Sequence, residues 1–415
     1  MPGAEATVDR FVADHREELT EDALTLLGVD TQNPPGETAP LVDELEVTLD
    51  DLGLATERVA TDPAKPNLVA TLPGDTDRTL LYNGHLDTVP FGADAWTHDP
   101  LGERDGDRLY GRGATDMKGA VAAMLLAARA FVESETTPPV TLQFAFVSDE
   151  ETGGDAGLPT LLDQRGLTAD GCVIGETTCE RGRHSVTVAD RGSIWLTLAA
   201  SGEGAHGSRP ILGENAIDRL YGAVERIRTE FGTERLRIAD DLAPIVEESV
   251  EYYAPRMGRD AARDLFAYPS VNLGTIEGGE SINSVPESAR ASLDVRLAPA
   301  VDTADVLARI RECVDGCPGI TIEDVSWSVG TYESPDSPLV SAVADTAEDV
   351  VGERIYRRSA TGGGDAKTLR NAGIPTVEFG LGTDTAHAVD EYTTVDALVA
   401  DARVYARLPF AFADR

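Results

Sequence analysis

TLLYNGHLDTVP, residues 79–90, is the stretch from which the fold of this chain is read. Its first half is a short, continuous apolar run, too brief for a helix and without the alternation of a half-exposed strand. That is the signature of a strand buried on both faces. It gives way to Gly84-His85-Leu86-Asp87, in which His85 and Asp87 are polar. Three further runs have the same form: VTLQFAFVS (140–148), GCVIGE (171–176) and PTVEFG (375–380). Between the first two lies GAVAAMLLAARAFV (119–132), helical by propensity and too apolar to face water. Buried strands alternating with helices predict an α/β fold, a mostly parallel sheet covered by helices. Upstream, a helix is expected around Val8 to Leu27, then a Pro34-Pro35-Gly36 loop and a helix from Leu41 to Leu52.

The middle of the chain changes character. From about Arg183 it reads strand (SIWLTLAA), helix (ENAIDRLYGAVERIRTEF), strand (SVNLGTIE), strand (SARASLDVRL), helix (TADVLARIRECV), strand (GITIEDVSW). That order, β-α-β-β-α-β, is the ferredoxin-like plan, an α+β domain complete in itself. After Gly330 the earlier alternation resumes, so the small domain is inserted into the large one. The expected division is 1–183 and 330–415 for the large domain and 184–329 for the insertion. An acidic, arginine-dotted excursion between Ile238 and Tyr268 has no place in the plan.

Two domains also suit the length, since 415 residues exceed what one hydrophobic core usually serves. The formal net charge of −38 speaks against nucleic acid and anionic membrane surfaces as partners. Lys65, Lys118 and Lys367 are the only lysines. So acidic a surface repels itself in dilute buffer, and the repulsion fades when ~1 M salt shortens the Debye length to ~3 Å. A protein of a salt-accumulating halophile is the expectation, and unfolding across a salt series tests it. Cys172, Cys179, Cys313 and Cys317 are too few and too scattered for a disulfide framework. The N-terminus carries no basic segment followed by an apolar one, and no run is long enough for a membrane span, so a cytoplasmic enzyme is expected.

Five polar sites fall at or just beyond the C-terminal ends of the expected strands, where open α/β sheets bind ligands. His85 and Asp87 are two apart, hence on one side of an extended backbone, and a carboxylate there can orient an imidazole that holds a metal. Asp116, in GRGATDMKGA (111–120), precedes the buried helix; an N-cap is the plain reading, a bridging carboxylate the functional one. GRGATD mimics a dinucleotide fingerprint only superficially. In SDEETGG (148–154) the adjacent Glu150 and Glu151 diverge, so one can bind metal while the other takes a proton. Glu176 ends the third apolar run, GCVIGE. His387 lies in TDTAHAVDE (383–391), beyond the last. Two imidazoles with several carboxylates suit a pair of divalent ions sharing one carboxylate, with a base left free.

With these residues in view, the chain resembles the family of dizinc hydrolases that includes acetylornithine deacetylase, succinyl-diaminopimelate desuccinylase, aminoacylase and glutamate carboxypeptidase. The resemblance rests on NGHLDTVP, GRGATDMKGA, SDEETGG and AHAVDEY in their order and spacing, and spans LLGVDTQNPPG (26–36) to AHAVDEYTTVDAL (386–398). It implies that His85 and Glu176 bind one ion, Glu151 and His387 the other, with Asp116 between them. Asp87 would orient His85, and Glu150 would be the general base in amide hydrolysis by metal-activated water. It also implies a cis Asp116–Met117 peptide and a homodimer formed through the inserted lid. His206, in SGEGAHGSRP (201–210), would then reach the partner's site to stabilise the oxyanion. Asn283 and Arg296 would hold a substrate carboxylate, and the glycines around Gly363 would offer backbone N–H donors. The substrate would be an N-acyl-amino acid, or alternatively a dipeptide or peptide C-terminus. Zinc is the expected metal, with cobalt or manganese open. A non-catalytic metal-bound scaffold would have no use for a free Glu150, and a nucleotide-dependent oxidoreductase fits worst.

Overall fold

A computed structural model describes residues 3–415. Its strands in chain order are β1 (Ala55–Val59), β2 (Asn67–Leu72), β3 (Thr79–His85), β4 (Glu103–Asp105), β5 (Arg108–Tyr110), β6 (Thr141–Val147), β7 (Gly171–Ile174) and β8 (His184–Ala189). There follow β9 (Gly192–Ser201), β10 (Ser270–Gly278), β11 (Ser288–Leu297), β12 (Ile320–Ser328), β13 (Ile355–Ser359), β14 (Thr376–Glu378) and β15 (Tyr392–Thr394).

The large unit runs to Val188 and resumes with Glu333–Arg358 and Gly364–Arg415. Its eight-stranded sheet has the order β1-β2-β6-β3-β7-β14-β8-β13. The four apolar runs read from the sequence are its middle: β6, β3, β7 and β14 are neighbours and mutually parallel. β7 is buried along its whole length and β3 after its first residue. Antiparallel pairings flank this core at β1–β2, β2–β6 and β14–β8.

The helix Lys118–Glu133 is buried over nearly all its length and lies against β3. Gly84 permits that approach, for a Cβ there would sit 3.0 Å from Val121 and 3.1 Å from Met117. The C-terminal helix Val395–Ala413 is anchored by two tyrosines: Tyr82 donates its hydroxyl to the Tyr405 carbonyl (2.6 Å), and Tyr405 to that of Phe379 (2.8 Å). The single helix expected at the start is two, Ala4–Asp14 and Arg16–Leu27. His15 breaks it by stacking on Phe11 and bonding through Nδ1 to the Phe11 carbonyl (2.7 Å).

The small unit comprises Ala189–Tyr332 with Ser359–Gly363. Its antiparallel sheet, order β10-β11-β9-β12, and helices Ala216–Phe231 and Thr303–Asp315 make the ferredoxin-like plan. Alternate β9 and β11 residues (Ile194, Leu196, Leu198; Leu293, Val295, Leu297) join Leu220, Val224, Ile227 and Ile310 in one core. The unassigned excursion forms two helices, Ala243–Met257 and Arg259–Ala267, turning at Gly258 with φ 86°. It is amphipathic rather than disordered: Ile245, Val250, Tyr252, Tyr253 and Phe266 are buried. No described helix is long and apolar enough to cross a membrane.

Candidate dinuclear metal centre

Adjacent strands of a sheet lie ~4.8 Å apart, so parallel neighbours deliver their C-terminal ends to one rim. β3 ends on His85, β6 runs into Asp149-Glu150-Glu151, and β7 is followed by Glu176. Asp116 arrives from the loop before the buried helix, joined to Met117 by the expected cis peptide. His387 comes from the loop beyond β14.

Asp116 is the centre of the arrangement. Its Oδ1 lies 3.1 Å from His85 Nε2, and its Oδ2 lies 3.1 Å from His387 Nε2. On the first side Glu176 Oε1 is 3.3 Å from His85 Nε2; on the second, Glu151 Oε2 is 3.2 Å from His387 Nε2. The donor atoms of His85, Asp116 and Glu176 all fall within 4.8 Å of one another, as do those of Asp116, Glu151 and His387. Each group offers an imidazole and two carboxylates and shares Asp116 with the other. That donor chemistry fits a pair of borderline divalent ions.

His85 is turned the right way for this. Its Nδ1–H donates to the Asp87 carbonyl (2.8 Å), so Nε2 is the nitrogen that faces Asp116 and Glu176 and would bind an ion there. The Asp87 carboxylate stands 3.8 Å from that ring and serves a different turn. Oδ1 accepts the Glu150 N–H and Oδ2 the Glu151 N–H, both at 3.1 Å. Asp87 thus holds the imidazole with its main chain and the two glutamates with its side chain.

The charges report crowding of one sign in a buried place. Burial disfavours the His85 imidazolium, but hydrogen bonds to Asp116 and Glu176, and their charges, hold its pKa well above the ordinary value. Hydrogen bonds to Asp116 and Glu151 raise His387 to about 10. Burial pushes Glu176 well up, with the Asp116 charge adding to it. Glu150 is pushed up to about 7, first by burial and then by Glu151, Asp116 and Asp87. Gly364 lies close by: a Cβ there would meet Glu150 Oε1 at 2.7 Å.

Four groups near this rim went unread in the sequence. Glu391, fully buried, accepts the N–H groups of Gly113 (3.1 Å), Thr115 (3.0 Å) and Asp116 (3.1 Å) on Oε1 and pairs with Arg112 through Oε2. Arg112 also donates to the His387 carbonyl (3.3 Å), so one ion pair ties the Asp116 loop to the His387 loop. Asn33 and Lys65 act on the Asp149 turn. Glu391 belongs to the quoted AHAVDEY motif, which was the available signal; Lys65 offered only its rarity.

The remaining expected residues lie in the small unit. His206 and Asn283 are on exposed loops brought together there: His206 bridges to Ser284, and the Gly207 N–H donates to the Asn283 carbonyl (2.6 Å). Arg296 lies elsewhere in that unit, near the far end of β11, with its guanidinium on Asp294 (2.7 Å) and over Trp195. Ser288, where β11 begins beside that loop pair, and Arg296 are eight residues and hence ~26 Å apart. Gly363 is exposed, in the loop that follows β13.

Residues 81–410 match the peptidase family M20/M25/M40. The chain is 30% identical over 382 residues to succinyl-diaminopimelate desuccinylase of Novosphingobium aromaticivorans, covering 89% of this chain and 92% of that protein. Its fold is similar to that of an M20 family metallo-carboxypeptidase from Sulfolobus solfataricus, with a TM-score of 0.80 at 21% identity over 96% of this chain and all of the other. It is also similar in fold to a dinuclear metal binding peptidase of the M20 family from Bacillus subtilis, with a TM-score of 0.67 at 14% identity, covering 96% and 98% of the two chains. The chain belongs to peptidase family M20/M25/M40.

Proposed function

We propose that this protein is a metal-dependent amidohydrolase that removes an N-acyl group from an amino acid, as its desuccinylase relatives are named for doing. The observation that carries the reading is Asp116, whose two oxygens face two histidines at 3.1 Å each. His85 and Glu176 would hold one ion, His387 and Glu151 the other, and zinc is our choice for both. Bound ions of this kind lower the pKa of water to about 7 and polarise the carbonyl of an amide.

Glu150 is the general base in this reading. Its carboxylate stands in neither group of metal donors, so it is free to take a proton and give it up again. Its proton comes from the attacking water, whose oxygen joins the acyl carbon. The same proton then goes to the amide nitrogen as the C–N bond breaks, leaving a carboxylic acid and a free amino acid. Asp87 keeps Glu150 in place through the 3.1 Å bond to its N–H.

His206 and Asn283 would act on the oxyanion and the substrate carboxylate, Arg296 would grip that carboxylate bidentately, and Gly363 would offer its N–H. The ~26 Å of β11 between Arg296 and the Ser288 end exceeds the span of an acyl-amino acid. This supports a homodimer in which His206 and Asn283 serve the partner's substrate. The second reading, a carboxypeptidase or dipeptidase, draws on the likeness to the Sulfolobus carboxypeptidase fold.

The test is a hydrolysis panel in concentrated salt, which the charge of −38 calls for, with zinc, cobalt and manganese supplied separately. N-succinyl-diaminopimelate, N-acetylornithine, other N-acyl-amino acids and dipeptides make up the panel. Acyl-amino acids should exceed dipeptides in kcat/KM by at least tenfold. The reverse order assigns the peptidase reading, and inactivity throughout contradicts both.

A further inference from the structure

We infer that Lys65 is a positioning residue for Glu150, acting through Asp149 from outside the metal centre; this rests on the reading of Glu150 as base. Asp149 opens the Asp149-Glu150-Glu151 turn with φ 66°, a left-handed conformation that Asp tolerates better than most residues. Its carboxylate folds back beneath the turn, and a Cβ on Gly154 would lie 1.8 Å from Oδ2. There it accepts from Lys65 Nζ (2.5 Å), Asn33 Nδ2 (3.0 Å), Thr152 Oγ1 (3.2 Å) and the Ala156 N–H (3.4 Å). Lys65 supplies the ammonium, and the pair is largely out of water, with side-chain exposures of 18% and 9%.

The contacts form a closed chain. Asn33 Nδ2 donates to Asp149 and also to Asp87 Oδ2 (2.8 Å), and Asp87 in turn accepts the N–H groups of Glu150 and Glu151. Two carboxylates therefore converge on one amide, at the root of a turn carrying two more. Like charges so placed separate unless a cation joins them. Take away the ammonium and Asp149 leaves its pocket, the left-handed residue relaxes, and Glu150 loses its register against the reacting carbon. Placement errors of ~1 Å cost on the order of 100-fold in rate.

The experiment uses the full-length protein loaded with zinc and the best substrate of the panel. Lys65→Met should lower kcat ~10- to 100-fold with KM changed less than threefold. Two ions per chain should remain, and Lys65→Arg should recover most of the rate. In a Glu150→Gln background, Lys65→Met should lower the residual rate less than threefold, because both changes strike one function. An unchanged kcat in Lys65→Met overturns the inference. So does a loss expressed in KM alone, or an equal loss in both backgrounds. If Lys65→Met does not fold, Lys65→Gln takes its place with the same readouts. Full activity of Glu150→Gln by itself would instead defeat the assignment of the base, so the two failures are told apart.

Discussion

The two halves of the centre are built differently. His85 ends a strand in the middle of the sheet, is 1% exposed, and faces Glu176 at the end of the neighbouring strand. His387 sits on a loop with φ 63°, its side chain 53% exposed, and depends on Arg112 for its carbonyl contact. The first half inherits its geometry from β-sheet hydrogen bonding. The second is tethered by one buried ion pair, Arg112–Glu391, spanning 279 positions of sequence. A strand-borne donor is placed by folding itself; a loop-borne donor is placed only as well as its tether holds. Asp116 belongs to both, since Glu391 fixes its backbone while its side chain faces His85 as well as His387.

The largest expected effect ignores the asymmetry. Glu150→Gln should reduce kcat ~10²- to 10⁴-fold while both ions stay bound, because in the proposed reaction Glu150 takes the proton and belongs to neither half of the centre. Steady-state kinetics beside metal analysis checks it; loss of an ion in this variant would make Glu150 a ligand and redraw the comparison. A smaller effect exposes the asymmetry directly. Arg112→Lys keeps the charge but not the planar fork that reaches both Glu391 and the His387 carbonyl. One of the two ions should then bind ~10-fold more weakly while the other is unaffected, as read by metal titration. Equal weakening of both would mean that the halves are not held independently.

How much of this was legible follows the same division. Strands β3, β6, β7 and β14 announce themselves as short apolar runs, and a polar residue just past such a run has one rim to go to. His85, Glu150, Glu151 and Glu176 could be found for that reason. The β-α-β-β-α-β order of the small unit was legible likewise, because each element buries a face with a distinct period. Pairings made by side chains across long loops were not. Arg112 with Glu391, and Lys65 with Asp149 across 84 positions, join residues whose local sequence looks like ordinary surface charge. The helices at 243–267 hid their apolar stripe among acidic and arginine residues, and the break at His15 depends on a ring stack with no sequence signature.

The most direct test is a crystal structure of the zinc-loaded protein with anomalous diffraction at the metal edge. Two peaks are expected, one among His85, Asp116 and Glu176 and one among Asp116, Glu151 and His387, ~3.5–4 Å apart with Asp116 between them. A single peak, or peaks away from Asp116, would contradict the shared-carboxylate centre on which the proposed hydrolysis depends.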